Sequence, residues 1–355
     1  MSPYEPMRLK RISGFIAGSL LVLLSSFGHA DDRGVDRESP LMIGEGMAPT
    51  SDMVDYQLWG SPGQSGGRPT MVDQRETGRF IVSRTASDTW SVNERFSHLG
   101  IGEPIAIPQI NTSVPQDLWS IESGAAYNHL FDSGRQLGLN FGVGSDSDHP
   151  FYSIHEVVFR ATANYRLPSG DHNAWLFFLT YSNNRHFFNG VPLPGAGYYF
   201  QAYDNRLQGL VGFPFASLRY KPTPDWNAQV SIFGPRNVNA EIGRWICGPL
   251  QAYTAFQWNA QEWLIADRQD YSNRLVFDKK RAALGLRSPL PHGFIFDVSG
   301  GRQFDQRFFV NDSSSYRNVP TAGLAPTWFV QTKLSYRLAI PPSEAGNSRP
   351  SAPRG

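Results

Sequence analysis

From about residue 88 to residue 340 the chain alternates apolar and polar side chains with a period of two, and no comparable stretch carries the 3.6-residue period of a helix. Successive side chains of a strand point to opposite faces, so the pattern calls for a sheet whose two faces meet different surroundings. Within 134–144, Leu137, Leu139, Phe141 and Val143 alternate with Gln136, Gly138, Asn140 and Gly142. Near the end, Trp328, Val330, Thr332, Leu334, Tyr336 and Leu338 oppose Gln331, Lys333, Ser335 and Arg337. The stretch 153–167 repeats the pattern with Val158 as its exception. The fold class is all-β.

Turn chemistry punctuates these strands. Asp132-Ser133-Gly134, Pro168-Ser169-Gly170-Asp171, Pro222-Thr223-Pro224-Asp225, Gly248-Pro249 and Pro291-His292-Gly293 suit tight hairpins. Longer connections near 99–116, 145–152, 184–206, 261–273 and 304–326 lie between them, and only the 235–237 link departs from the short–long rhythm. Transmembrane antiparallel up-and-down β-barrels have this asymmetry, with short periplasmic turns and long external loops. The reading predicts strands at 88–98, 117–131, 134–144, 153–167, 172–183, 207–221, 225–234, 238–247, 250–260, 274–288, 293–303 and 327–339, about 12 in all. Adding 79–85 and a partner near Met53–Trp59 gives 14, the alternative even count. Pro214 would then mark a bulge inside 207–221, because Val211, Phe213 and Phe215 share one face while Ala216, Leu218 and Tyr220 share the next.

The apolar faces end in aromatics such as Trp119, Tyr127, Trp175, Tyr220, Trp226, Trp328 and Tyr336, as rings at a bilayer interface do. The polar faces then line the interior, where Glu156, Arg160, Arg166, Arg281, Arg287, Lys333 and Arg337 are the candidate lumen-lining charges. Two outcomes stay open for them: selection of a passing solute, or mutual neutralisation in a filled lumen. A soluble periplasmic β-sandwich shows the same alternation around a dry core and is the further alternative.

The first residues point to export. Arg8, Lys10 and Arg11 precede an apolar run from Ile12 to Phe27, and Gly28-His29-Ala30 resembles a cleavage site, the pattern of a secretory signal peptide over 1–30. Residues 31–78 read as a flexible lead-in, 79–340 as the barrel, and 341–355 as a Pro-rich disordered tail. The partners this implies are the outer-membrane bilayer, the barrel-assembly machinery and small polar solutes. A balance of 32 Lys+Arg against 31 Asp+Glu argues against a nucleic-acid-binding domain.

Signals for chemistry are weak. One cysteine, Cys247, excludes a disulfide framework. No G-x-S-x-G elbow, H-E-x-x-H, P-loop or Rossmann fingerprint occurs, so neither an enzyme nor a cofactor is expected. Asp146-Ser147-Asp148-His149 reads as a solvated external loop rather than a metal site, since it lacks the later Gly and Glu of a calcium loop.

Three stretches carry a family likeness: Leu193-Pro194-Gly195-Ala196-Gly197-Tyr198-Tyr199-Phe200, Leu210-Val211-Gly212-Phe213-Pro214-Phe215-Ala216-Ser217, and Tyr220-Lys221-Pro222-Thr223. With Ala266-Asp267-Arg268, Lys279-Lys280-Arg281 and Gly285-Leu286-Arg287, they resemble an uncharacterised family of bacterial outer-membrane β-barrels, the domain-of-unknown-function family 6268. The resemblance spans roughly 115–340 and implies a barrel in the outer membrane, with no catalytic residues to transfer. Taken together, the sequence predicts a passive, porin-like small-solute channel, or else a structural or binding barrel with external recognition loops.

Overall fold

The computed structural model describes residues 51–339 except 64–68, 109–111, 186–187, 204, 235 and 312–318. The expected signal peptide, the first part of the lead-in and the Pro-rich tail lie outside the described residues. The strands are β1 (Ser51–Ser61), β2 (Met71–Arg84), β3 (Asp88–Ile101), β4 (Ile105–Ile107), β5 (Thr112–Val114), β6 (Asp117–Leu130), β7 (Gln136–Ser147), β8 (Val157–Pro168), β9 (Ala174–Ser182) and β10 (Leu193–Ala202). They continue as β11 (Leu207–Phe213), β12 (Phe215–Tyr220), β13 (Trp226–Phe233), β14 (Asn237–Cys247), β15 (Leu250–Trp263), β16 (Arg274–Pro289), β17 (Phe294–Asn311), β18 (Thr321–Leu324) and β19 (Thr327–Ala339).

Every neighbouring pair in the wall is antiparallel, and β1 pairs with β19 from Ser51 opposite Ala339 to Gly60 opposite Val330. That pairing closes the sheet into a barrel of 16 strands, with β18 outside the ring on the end of β17 and β4–β5 a separate small hairpin. Closure leaves no sheet edge to protect and excludes the sandwich. Apolar side chains stand on the outer surface, among them Phe141, Phe177, Leu179, Val211, Leu284 and Val330, while Asp73, Glu241, Arg281 and Asp297 are buried. Outward Trp90 packs at a tilt against Tyr127, Trp175 against Tyr198 and Phe294 against Tyr336, forming a girdle towards the rim where β1 begins and β19 ends.

The count of 16 corrects the expected 12 and its alternative of 14, and the reasons are local. The lead-in proposed for 31–78 contains β1 and most of β2. Their alternation is weak because the outer face of β2 carries Gln74 and Glu76 amid Val72, Phe80 and Val82, so both faces read as polar. The connection proposed for 184–206 contains β10, disguised by Pro194, Gly195 and Gly197. Those glycines face inward beneath the rings of Phe178 and Phe215; an added Cβ on Gly195 would collide with Phe178, and one on Gly197 would press against Phe215. Finally, 207–221 is two strands: Pro214 is the tip of the β11–β12 hairpin, with a cis Phe213–Pro214 bond and Val211 opposite Ala216. The one-residue phase change read as a bulge is the chain reversing direction.

Because the extra strands enter in pairs, the rims keep their sides. All the tight turns named from sequence fall on the lower rim, where β1 begins and β19 ends. The upper ends of β1, β3, β7, β9, β15 and β17, from which the longer connections leave, form the upper rim. Among the described residues the upper rim is low between β11 and β14, where Pro214 joins β11 to β12 and β14 follows β13 after a short link.

Candidate functional site in the lumen

The upper mouth is sealed from two sides. The β4–β5 hairpin folds inward, and Ile105, Ile107 and Val114 join Trp59, Leu99, Leu118, Trp263, Leu275, Phe277, Phe308 and Phe329 in one buried apolar cluster. All of these lie at upper strand ends or in upper loops, so burial here removes apolar surface from water as in a soluble core. The second seal is the β15–β16 connection, residues 264–273, which crosses the mouth towards β7, eight wall strands away in a ring of 16. Leu264 forms a parallel bridge with Ser147 and donates its N–H to the Asp146 carbonyl at 2.8 Å. The Ala266 N–H donates to Asp148 Oδ1 at 2.8 Å. Arg268 donates through Nη1 to Glu156 Oε1 at 2.9 Å and through Nη2 to the His155 carbonyl at 2.8 Å, while Tyr271 stacks on His155.

These contacts relocate two expectations. Asp146-Ser147-Asp148-His149 is not a solvated acidic loop: Asp146 and Ser147 are buried and form the strip on which the crossing connection docks. Asp146 also accepts from Arg160 and, at 2.9 Å, from Asn184 Nδ2. Among the described residues no group of three His, Cys, Asp or Glu side chains could hold a metal. Glu156 lies not on the wall but in a one-turn 3-10 helix, Ile154–Glu156, capped by Ser153. Burial pushes its carboxyl up, yet hydrogen bonds from Ser153 and Arg268 outweigh that and hold it below its ordinary value.

Beneath the seals lies a cavity of about 520 Å³, running from Met53 and Arg337 near the lower rim up to Arg281 and Phe329. Of the seven candidate lumen residues, Arg281, Arg287, Lys333 and Arg337 line it together. Arg160 lies on the other wall in a network with Glu122 and Asp146, and Arg166 shares its strand face six residues lower.

Within the cavity most charges are answered. Arg287 donates from Nε to Asp297 Oδ2 at 2.9 Å and from Nη1 and Nη2 to the two Glu241 oxygens, each at 3.0 Å. Its guanidinium lies over the Tyr253 ring, whose hydroxyl donates to Asp297 Oδ1 at 2.6 Å. Lys333 pairs with Asp55 at 2.9 Å. At the upper end, Arg281 has a neutral partner: Nε donates to Gln303 Oε1 at 2.7 Å. Beside it, Arg75 binds Asp73 through Nε at 3.0 Å and Nη2 at 2.7 Å, and Lys279 Nζ lies 3.6 Å from the same carboxylate.

Sequence reasoning missed Asp55, Asp73, Arg75, Glu241 and Asp297. The first three lie in the supposed lead-in. The last two sit on recognised strands in the inward phase, and that phase alone would have pointed to them.

A closed antiparallel barrel with an apolar outer belt and a polar, charged interior defines the class of transmembrane β-barrels. No family model matches the chain and no curated protein is similar to it. Among solved structures, an outer membrane channel from Pseudomonas putida F1 is 9% identical, over 86% of this chain and 100% of that one, with a TM-score of 0.35. A mutant form of the Rh. blastica porin is 9% identical over 81% and 99%, with a TM-score of 0.32. The translocator domain of the autotransporter NalP from Neisseria meningitidis is 11% identical over 82% and 90%, with a TM-score of 0.29.

Proposed function

We propose that this protein is an outer-membrane channel for small polar solutes, exported by a cleaved signal peptide, inserted by the barrel-assembly machinery and belonging to the uncharacterised family 6268. The observation that carries this reading is the polar cavity of about 520 Å³ inside a closed 16-strand wall, reaching almost to the lower rim. A barrel serving only as a scaffold has no need of such a space. Transport through it is passive, and the role requires no catalysis and no cofactor. The seals at the upper mouth make it a gated or selective channel rather than a wide general pore.

The apolar cluster under the upper loops favours the second reading, a structural or binding barrel with a filled lumen. The two separate in planar bilayers. A channel gives discrete conductance steps, and deleting residues 103–115, which carry the β4–β5 hairpin, raises them several-fold. Silence of both the full chain and the deletion variant, with heat-modifiable gel mobility showing each to be folded, would establish the filled barrel instead.

A further inference from the structure

We infer that the upper end of the lumenal cavity is a binding site for a small organic carboxylate, with Arg281 as its principal ligand. The inference deepens the channel reading, because it names the solute class that the same lumen would select.

Around Asp73 stand three basic side chains, Arg75, Lys279 and Arg281, against this one carboxylate. Asp73 and Lys279 are fully buried and Arg281 is 3% exposed. Asp73 spends both oxygens on Arg75, at 2.7 and 3.0 Å, and no carboxylate among the described residues pairs with Arg281. Its Nη2 is buried without a hydrogen-bond partner, and so is Lys279 Nζ. A buried cation left unpaired is costly, and the usual compensation is an anion with oxygens to accept the free donors. Two other cations of the cavity do not present this demand, since Arg287 meets two carboxylates and Lys333 meets Asp55.

Position and shape select the kind of anion. Arg281 is among the residues that line the cavity, so a solute rising through the lumen arrives beside its guanidinium, and the buried Nη2 has only to turn to meet it. Its guanidinium carbon lies 4.3 Å from the Trp59 ring centroid and 5.3 Å from that of Phe329. The aromatic rings fix the planar fork, and a fixed fork matches the two oxygens of a carboxylate. Phe329, which lines the cavity with Arg281, sets an apolar edge beside the charge, which suits the hydrocarbon part of an organic acid and gives nothing to inorganic phosphate. A cavity of about 520 Å³ also falls within the range, roughly 300–1,000 Å³, of sites that enclose small organic ligands.

The test is equilibrium binding to the detergent-solubilised full chain, read by intrinsic tryptophan fluorescence and calorimetry. The probes are benzoate and succinate, with inorganic phosphate as the competing anion and benzamide as the uncharged control. Saturable binding of a carboxylate, at least tenfold tighter than phosphate or benzamide, is the expected result. R281Q should weaken it at least tenfold and R281K should restore only part, while K280Q, on the outer face, should leave it unchanged. Should R281Q fail to fold, as judged by heat-modifiable mobility, the affinity of wild type must still fall steeply with ionic strength. No saturable carboxylate binding, equal binding of benzamide, preference for phosphate, or full affinity in a folded R281Q would each overturn the assignment. Binding needs no open pore, so an absence of conductance would overturn the channel reading and leave this one standing.

Discussion

Two arginines on one strand face, Arg281 and Arg287, are separated by six residues of β16 and by a difference in purpose. Arg287 is saturated: Glu241 and Asp297 answer it, Gln251 accepts a further bond at 3.0 Å, and Tyr253 covers it. Arg281 holds one neutral amide and keeps a donor unpaired. Both are buried cations facing a polar lumen, so burial alone does not distinguish a structural charge from one available to a solute. What distinguishes them is whether the fold supplies the counter-charge. A network with every member bonded rigidifies the wall, whereas an incomplete one is where an outside partner belongs.

The largest effect that would sharpen this contrast is expected at Arg287. R287A strands two buried carboxylates and should lower unfolding stability by about 3–5 kcal/mol, measured by urea titration in lipid vesicles. Combining R287M with E241Q and D297N should recover most of that loss, since the stranded charges go with their partner. If the triple variant is no better than R287A, the wall does not depend on charge balance and the contrast fails. Next in size is Gly285→Ala. Its Cβ would collide with the Tyr253 ring that reaches Asp297, a loss of about 1–3 kcal/mol in the same titration. Arg281→Met should change stability by less than about 1 kcal/mol or raise it, because an apolar chain replaces an incompletely paired charge. A loss as large as that of R287A would make Arg281 structural too.

The smallest effect concerns pH and the crossing connection. Glu156 is held below its ordinary value of 4.5 in the folded chain. Its contribution is therefore complete above about that pH and is lost as pH falls through the lowered folded value. Protease cleavage within 264–273 should accordingly rise a few-fold in acid, and E156Q should show the raised rate already at neutral pH. A rate independent of pH in both proteins would mean that the backbone bridge from Leu264 to Ser147 holds the connection alone.

Periodicity made most of the wall legible, because lipid outside and a polar lumen inside impose opposite demands on alternate residues. It failed where those demands are relaxed. Gln74 and Glu76 put polar groups on the outer face of β2, and Gly195 and Gly197 hand their space to neighbouring rings, so β2 and β10 carry no clean alternation. Pro214 looked like a defect in one strand because a hairpin with a single residue between its strands is too short to read as a separate turn. For the lumen, the arginines were legible by phase on β16 and β19, but their partners were not. Asp73 meets Lys279 and Arg281 only after the chain has passed around the ring, and one sequence does not reveal which strands become neighbours. Glu156 illustrates the converse: its phase fits a strand, yet the Ser153 cap turns the chain before β8 begins.

The low rim between β11 and β14 has a consequence for the lipid. β11, β12 and β13 have 7, 6 and 8 residues, against 14 in β15 and 16 in β16. At about 3.3 Å per residue and a tilt near 40°, such strands span roughly 15–20 Å of height, less than the apolar band of about 25 Å usual for these barrels. Acyl chains beside them must shorten or tilt, at a cost of fractions of a kcal/mol per Å. The annulus around this barrel is therefore uneven, thinnest along one sector centred on Phe213. A depth-sensitive probe there would report headgroups closer than at Leu284 on the tall side. The bilayer thus distinguishes a front from a back on a wall that is otherwise a ring, and neighbouring molecules that share the thinned sector share its cost.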